Sequence, residues 1–184
     1  LQEHVDTQKR PPIVLSGSQN FLLSEKISQT LAGRAAILEL LPLTYSEFCS
    51  VKANNKKTIW DYLYEGAYPR PYQEKLDHKQ WYQSYIRTYL ERDIRSMINV
   101  RDLMTFQLFL KLCAGQHGQQ LNLNAISQAC GISQTTATQW FSLLEASFIV
   151  YRLKPYYKNY KKRLVKRPKV YFYDTAIICN LLGI

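Results

Sequence analysis

The strongest constraint on the fold is the stretch NAISQACGISQTTATQWFSLLEA at positions 124–146. Its spacing predicts two short helices, the first capped by Asn124 and the second by Ser133. Gly131 permits a tight turn between them because glycine tolerates a left-handed backbone, and Ile132 fills the angle that the helices form. A small residue, a glycine, an apolar residue and a cap in this order predict a helix-turn-helix. The residues expected to be buried are Ala125, Ile126, Ala129, Ala137, Trp140, Leu143 and Leu144.

Two apolar and aromatic runs follow, at Phe148–Leu153 and Lys169–Tyr173, and a polar segment rich in Lys and Tyr separates them. Runs of this kind joined by a polar segment predict a β-hairpin. A helix-turn-helix followed by a hairpin predicts a winged helix.

The positive charge is concentrated in the same region. The chain has a net charge of +10, and residues 151–184 hold nine Lys or Arg and one acid, which gives 9 − 1 = +8. No Lys or Arg occurs between Gln116 and Phe148, so the second helix carries no cation for a phosphate, and the hairpin must supply them. The nucleic-acid-binding candidates are Gln134, Thr135, Thr138, Gln139, Lys158, Lys161, Lys162, Arg163, Lys166 and Arg167.

Three interpretations of this basic hairpin remain open. It binds nucleic acid, it contacts a protein partner or another domain, or it is a solvated loop without a partner. Phosphate contacts require cations, which favours the first interpretation. A solvated face is the ordinary state of many charged segments.

An α/β unit precedes this region. Ile13–Leu15 and Ala35–Leu41 are short apolar runs typical of buried strands, and Ser18 can cap a helix between them. Thr44 and Glu47 have the spacing of a capping box. Alternating strands and helices predict a parallel sheet.

Residues 51–80 are polar at first and then rich in Pro and Gly, which favours a linker. Helical periodicity follows at Trp81–Val100 and Thr105–Ala114. The predicted organisation is therefore an α/β unit at 1–50, a linker at 51–80 and a helical winged-helix domain with a basic hairpin at 81–184.

Taken together, several stretches resemble bacterial and archaeal AAA-type ATPases in which a P-loop domain precedes a C-terminal domain of unknown function. The matching stretches are IVLSGSQNFLL (13–23), SQTLAGRAAILELLPLTYSEF (28–48), TYLERDI (88–94), LLEASFIVYRLKPY (143–156) and RPKVYFYDT (167–175). The fold class that this resemblance implies is α+β and mostly helical, with a partial AAA-type α/β core before a winged helix-turn-helix domain.

The resemblance also implies site residues. Ser16 or Ser18 falls on the strand that senses the γ-phosphate, and Arg34 falls where an arginine finger would complete a neighbour's site. The alternatives are structural: Ser18 only caps a helix, and Arg34 only pairs with an acid.

The chain departs from the family in one respect. It contains no G-x-x-x-x-G-K-[ST] motif and no strand ending in an Asp-Glu pair for magnesium. It therefore resembles a fragment without the P-loop half, and the fragment alone is expected not to hydrolyse ATP. ATP and Mg²⁺ are implied only for the full-length family member. The expected function is to couple nucleotide state to the winged helix; the alternative is a non-catalytic module that binds DNA or protein.

Hydropathy, cysteine and histidine spacing, and the predicted sheet edge indicate where the protein is located and what it contacts. No apolar run approaches the ~18 residues of a membrane span, and no signal peptide is visible, so we expect a cytoplasmic protein. The four cysteines and three histidines are scattered, which favours free thiols over a metal site. A sheet that lacked a strand would have an exposed edge, so self-association is also expected.

Overall fold

The computed structural model describes residues 14, 36, 38–50, 57–90, 103–156, 158 and 166–184. The chain divides into two compact units, residues 1–40 and 41–184. Six of the predicted site residues lie outside the described residues. They are Ser16, Ser18, Arg34, Lys161, Lys162 and Arg163.

The two strands predicted for the first unit do not appear at the residues described there. Val14, Leu38 and Leu40 have no strand conformation, and their exposed fractions are 88%, 92% and 98%. An apolar strand is stabilised by pairing with neighbouring strands. The described part of this unit contains no such neighbour, so the prediction of buried strands is wrong for these residues.

The second unit begins with short helices. Helix α1 spans Tyr45–Ser50, α2 spans Ile59–Glu65, α3 spans Pro69–Gln73, α4 spans His78–Tyr85, and a π-helical turn follows at Ile86–Leu90. The predicted capping box before α1 is confirmed, because Thr44 N donates to Glu47 Oε2 at 2.8 Å and Glu47 N donates to Thr44 Oγ1 at 3.3 Å. The segment predicted as a linker thus contains, in its described part at 57–80, α2, α3 and the start of α4.

Gly66 and Pro69 explain why this segment folds into short helices. Gly66 caps the C-terminus of α2 with a φ of +87°, and Pro69 begins α3, where its missing N–H costs nothing. Because both residues interrupt the helical periodicity, the sequence pattern indicated a linker here and not short helices.

The remaining elements form the larger part of the second unit. Helix α5 spans Leu103–Gly115, α6 spans Leu123–Cys130, α7 spans Gln134–Ala146, β1 spans Val150–Leu153, β2 spans Lys169–Phe172 and α8 spans Thr175–Leu182. The strands pair antiparallel, with Val150 opposite Phe172 and Leu153 opposite Lys169. The described residues are therefore mostly helical with a small two-stranded sheet, an α+β arrangement.

The hydrophobic core lies between α5, α7, the inner face of the sheet and α8. The ring of Trp140 contacts the rings of Phe106 and Phe109 edge to face, with centroids 5.1 and 5.4 Å apart. Helix α8 packs against α5, α2 and α4. It thereby joins the short helices to the core.

The turn between α6 and α7 matches the prediction, and the start of α6 does not. Gly131 has a left-handed backbone with a φ of +67°, and the Ser133 side chain accepts from Thr136 N at 3.0 Å. However, the side chain of Asn122, and not that of Asn124, caps α6 by accepting from Ala125 N at 3.2 Å.

The buried face of α6 also differs from the prediction. Ile126 and Ser127 are buried, whereas Ala125 and Ala129 are exposed. Periodicity placed Ile126 correctly, but alanine is too small to indicate a face. In α7, Ala137, Trp140 and Leu144 are buried and Leu143 is half-buried. None of the helices in the described ranges is both long enough and apolar enough to cross a membrane.

Candidate nucleic-acid interface

The exposed face of α7 carries the predicted base-reading residues. Gln134, Thr135, Thr138 and Gln139 are all exposed, and their spacing places them on one side of the helix. The Thr138 hydroxyl donates to the carbonyl of Gln134 at 2.8 Å, which orients it along the helix. Amide and hydroxyl side chains in such a row can donate to and accept from base edges.

The opposite face of α7 fixes the position of these residues. Ala137, Trp140, Phe141 and Leu144 are at most 5% exposed. Side chains packed this closely hold the helix rigidly, so its outer face is a preformed surface.

A cavity of about 240 Å³ lies where the start of α7 meets the base of the hairpin. We call it the crease. It brings together Gln134 from α7 and two cations from the hairpin, Arg152 and Arg167. Its other lining residues are Leu121, Asn122, Leu123, Asn124 and Pro168.

The crease corrects one expectation from the sequence. The absence of Lys and Arg from 117–147 suggested that α7 has no cation nearby, but Arg152 and Arg167 line the same cavity as Gln134. The hairpin returns the chain to the start of α7, so residues distant in sequence become neighbours. Arg152 was missed because a single Arg within a strand has no distinctive spacing.

Arg152 is held in place by two contacts. Its guanidinium lies over the ring of Phe141, with Cζ 4.7 Å from the ring centroid, and its Nη2 lies 3.0 Å from Glu145 Oε2. Burial raises the pKa of the Glu145 carboxyl, and Arg152 opposes that shift. Within the part of the chain described, Nε and Nη2 of Arg152 are buried and have no hydrogen-bond acceptor in suitable geometry. Nη2 is thus paired electrostatically with Glu145 without a well-aligned hydrogen bond, and Nε has no acceptor among these residues.

Three of the predicted phosphate-binding cations lie in the described part of the hairpin segment. Lys158, Lys166 and Arg167 are exposed. None of the three forms an ion pair within the described ranges. Their charges are thus not neutralised there by a neighbouring carboxylate.

A second polar centre lies in the core. Asp174 is 1% exposed, and its Oδ2 accepts from Ala67 N at 2.8 Å and from Tyr82 Oη at 2.6 Å. Its Oδ1 accepts from Ala176 N at 2.8 Å, which caps α8. One carboxylate thus joins the loop after α2, helix α4 and helix α8.

Electrostatics at this centre follow from burial. Burial raises the pKa of Asp174 above its ordinary value, and the three donors oppose that shift. Burial and the neighbouring Asp174 also raise the pKa of Tyr82, so the phenol stays protonated and donates. In the sequence, the only signal was an aspartate directly before a helix, which predicts a cap but not a buried junction.

Metal coordination has no candidate in the residues described. They contain no group of three or more His, Cys, Asp or Glu side chains placed to hold a metal ion. Cys113 is buried, while Cys49, Cys130 and Cys179 are half-buried, and all four are free thiols.

Comparison with known proteins gives several relatives. An uncharacterized protein of Mycobacterium tuberculosis is 31% identical over 160 residues, which cover 85% of this chain and 35% of that protein. An uncharacterized protein of Haemophilus influenzae is 26% identical over 183 residues, covering 93% of this chain and 46% of that protein. Uncharacterized protein MJ1544 of Methanocaldococcus jannaschii is 21% identical over 184 residues, which cover 88% of this chain and 41% of that protein.

The chain thus spans between about a third and a half of the length of these relatives. No solved structure matches significantly. The family model of an AAA domain matches residues 1–49, which supports an AAA-type region at the start of the chain. Residues 56–184 match the model of a domain of unknown function (DUF8612), and the chain therefore belongs to that family.

Proposed function

We propose that this chain is part of an AAA-type ATPase whose DUF8612 region is a winged helix that binds duplex nucleic acid. The observation that carries the proposal is the crease, where Gln134 at the start of α7 lies with Arg152 and Arg167 of the hairpin. A polar helix face beside two guanidinium groups can read base edges while the cations hold phosphates.

The order of elements supports this proposal. Helix α5 is followed by a segment that bridges β2 at His117 and Gln120, then by α6, the turn, α7 and the hairpin. In a winged helix this order makes α7 the recognition helix and the segment between β1 and β2 the wing. The exposed face of α7 would enter the major groove.

The nucleotide-dependent half of the proposal rests on residues 1–49. Their match to an AAA domain favours a role for Ser16 or Ser18 in sensing a γ-phosphate and for Arg34 as a finger. This 184-residue chain has no phosphate-loop motif, so it should show no magnesium-dependent ATP turnover. Measurable turnover by the purified chain would contradict this part of the proposal.

A salt series with duplex DNA tests the binding half. With about three phosphate contacts, the affinity should fall roughly 40-fold between about 50 and 200 mM salt, because each contact releases counterions. Fluorescence anisotropy with a labelled duplex measures this slope. An affinity independent of salt, or no binding at about 50 mM salt, would overturn it.

A protein-binding function is a second candidate, and α2 favours it. Trp60 and Tyr64 lie one helical turn apart and are 74% and 51% exposed. Large exposed aromatic side chains are enriched at protein interfaces. A second copy of the chain is the proposed partner, and light scattering tests it. Trp60→Ser should reduce the association, and a monomer for the unchanged chain would remove this candidate.

A further inference from the structure

We propose that the crease is a phosphate-binding site that holds one phosphate group of a nucleic-acid backbone. That the crease binds a phosphate group is argued from the residues that line it. That the phosphate belongs to a nucleic acid rests on the proposed function. The site would fix the start of α7 against the backbone, so that the helix face enters the groove in one register.

The donors of the crease fit an oxyanion. Arg152 and Arg167 provide two guanidinium groups, and the side-chain amide of Gln134 provides neutral donors. No carboxylate lines the cavity. Guanidinium groups bind phosphate through paired N–H donors, which gives both energy and a fixed direction.

The unused donors of Arg152 point to the same chemistry. Buried polar groups nearly always find partners, and an unpaired buried donor is costly. Nε of Arg152 has no acceptor among the residues described, and Nη2, although 3.0 Å from Glu145 Oε2, is poorly aligned for a hydrogen bond. Because Arg152 also lines the crease, an anion bound there would offer its guanidinium an acceptor.

Arg152 is also preorganised. Phe141 and Glu145 already hold its guanidinium, so little side-chain entropy is lost when a ligand binds. Arg167 is exposed and adjusts to the ligand. One fixed and one exposed cation suit a phosphate that belongs to a long backbone.

The volume of the crease limits the occupant. At about 240 Å³ it is smaller than the roughly 300–1,000 Å³ of pockets that enclose drug-sized ligands. A single phosphate group fits this volume better than a whole nucleotide does. The carboxylate of an acidic protein partner is the competing occupant, and the experiment below separates the two.

The test uses the intact chain with two probes, inorganic phosphate and a short DNA duplex. Gln134→Glu places a negative charge in the crease and, at the first position of α7, should not weaken the helix. Gln80→Glu makes the same charge change near the start of α4, outside the crease, and is the matched control. Arg167→Gln removes one cation from an exposed position that has no described partner.

Inorganic phosphate should shift the amide signals of residues 121–124 and the guanidinium signals of Arg152 in NMR spectra. Gln134→Glu and Arg167→Gln should each weaken this binding about tenfold, and Gln80→Glu should leave it unchanged. Arg167→Gln should also reduce, by about 1, the slope of log affinity against log salt concentration for duplex binding, because one phosphate contact is lost.

The outcomes separate the two proposals. Phosphate binding at the crease without duplex binding would retain the site and overturn the proposed function. Duplex binding that neither crease variant weakens would retain the function and overturn the site. Acetate that competes with phosphate on equal terms would identify a carboxylate site and would also overturn the inference.

Discussion

Asp174 and the crease are both polar, yet they differ in how their polar groups are satisfied. Both oxygens of the Asp174 carboxylate accept hydrogen bonds, and the three donors come from separate segments of the core. In the crease, the buried Nε of Arg152 has no acceptor among the described residues, and Nη2 faces Glu145 without a well-aligned hydrogen bond. Arg167 is exposed and has no ion pair there.

Under the proposed function, this difference gives the two places different tasks. A buried polar network that is fully satisfied rigidifies and specifies a core, and no capacity remains for a ligand. A cavity with unused cationic donors attracts an anion. Substitutions at Asp174 should therefore act on stability, and substitutions in the crease should act on binding.

The largest effect is expected for Asp174→Ala. Removal of this carboxylate leaves Ala67 N, Tyr82 Oη and Ala176 N without their acceptor in the core, at a cost of about 3–5 kcal/mol in the free energy of unfolding. Urea denaturation measures it. Asp77→Ala is the matched control, because Asp77 caps α4 at an exposed position and its loss should cost only about 1 kcal/mol. Equal losses of unfolding free energy in the two variants would show that burial does not increase the contribution of Asp174 to stability.

Gly66→Ala should be the next most severe change. A Cβ at this position would lie 2.0 Å from Tyr82 Oη, and the φ of +87° strains any residue with a side chain. The expected loss is about 2–3 kcal/mol, also by urea denaturation. Gly115→Ala is the control, because nothing lies within 4 Å of the added carbon; stability there should stay level or rise slightly. An unchanged urea midpoint for Gly66→Ala would contradict the close packing of Gly66 against Tyr82, which donates to Asp174.

Arg152→Gln tests whether the crease is structural in the way that Asp174 is. Glu145 would lose its cation while half-buried, so the pKa of its carboxyl should rise further. We expect a loss of about 1 kcal/mol in unfolding free energy and about a tenfold weaker affinity for duplex DNA. A loss of stability as large as that of Asp174→Ala, with duplex affinity retained, would make Arg152 a structural residue.

The smallest effect concerns His117, whose Nδ1 accepts from Phe172 N at 3.2 Å in β2. Burial lowers the pKa of this imidazole below its ordinary value of 6.5. The unfolded chain therefore binds a proton at higher pH than the folded one, so this contribution to stability is present above about pH 6.5 and is lost as the pH falls. His117→Asn keeps an acceptor that does not titrate. Its unfolding free energy should vary less between about pH 7.5 and 5 than that of the unchanged chain; identical pH profiles would contradict this.

The sequence predicted the region around α7 better than it predicted the rest. Gly131 and Ser133 carry local signals, a left-handed turn and a cap, and both predictions are confirmed. The hairpin strands were also placed to within two residues, because two apolar and aromatic runs joined by a polar segment are a local pattern. Short helices such as α3 were not predicted, because five residues give too little periodicity.

The polar centres depended on contacts between distant residues. Asp174 meets Ala67 across 107 positions of sequence, and no spacing pattern spans that distance. Arg152 reaches the start of α7 only because the hairpin folds back. The strands predicted at 13–15 and 35–41 failed at their described residues, since apolar runs become strands only beside other strands.

The proposed interface for duplex nucleic acid consists of the exposed face of α7 and the crease. NMR mapping of the labelled chain with a short DNA duplex tests this directly, because each backbone amide reports its own surroundings. We predict that the signals of residues 134–139, 152 and 166–169 shift together and that those of Trp60 and Tyr64 stay in place. Shifts confined to α2, or no shift near α7 at about 50 mM salt, would contradict it.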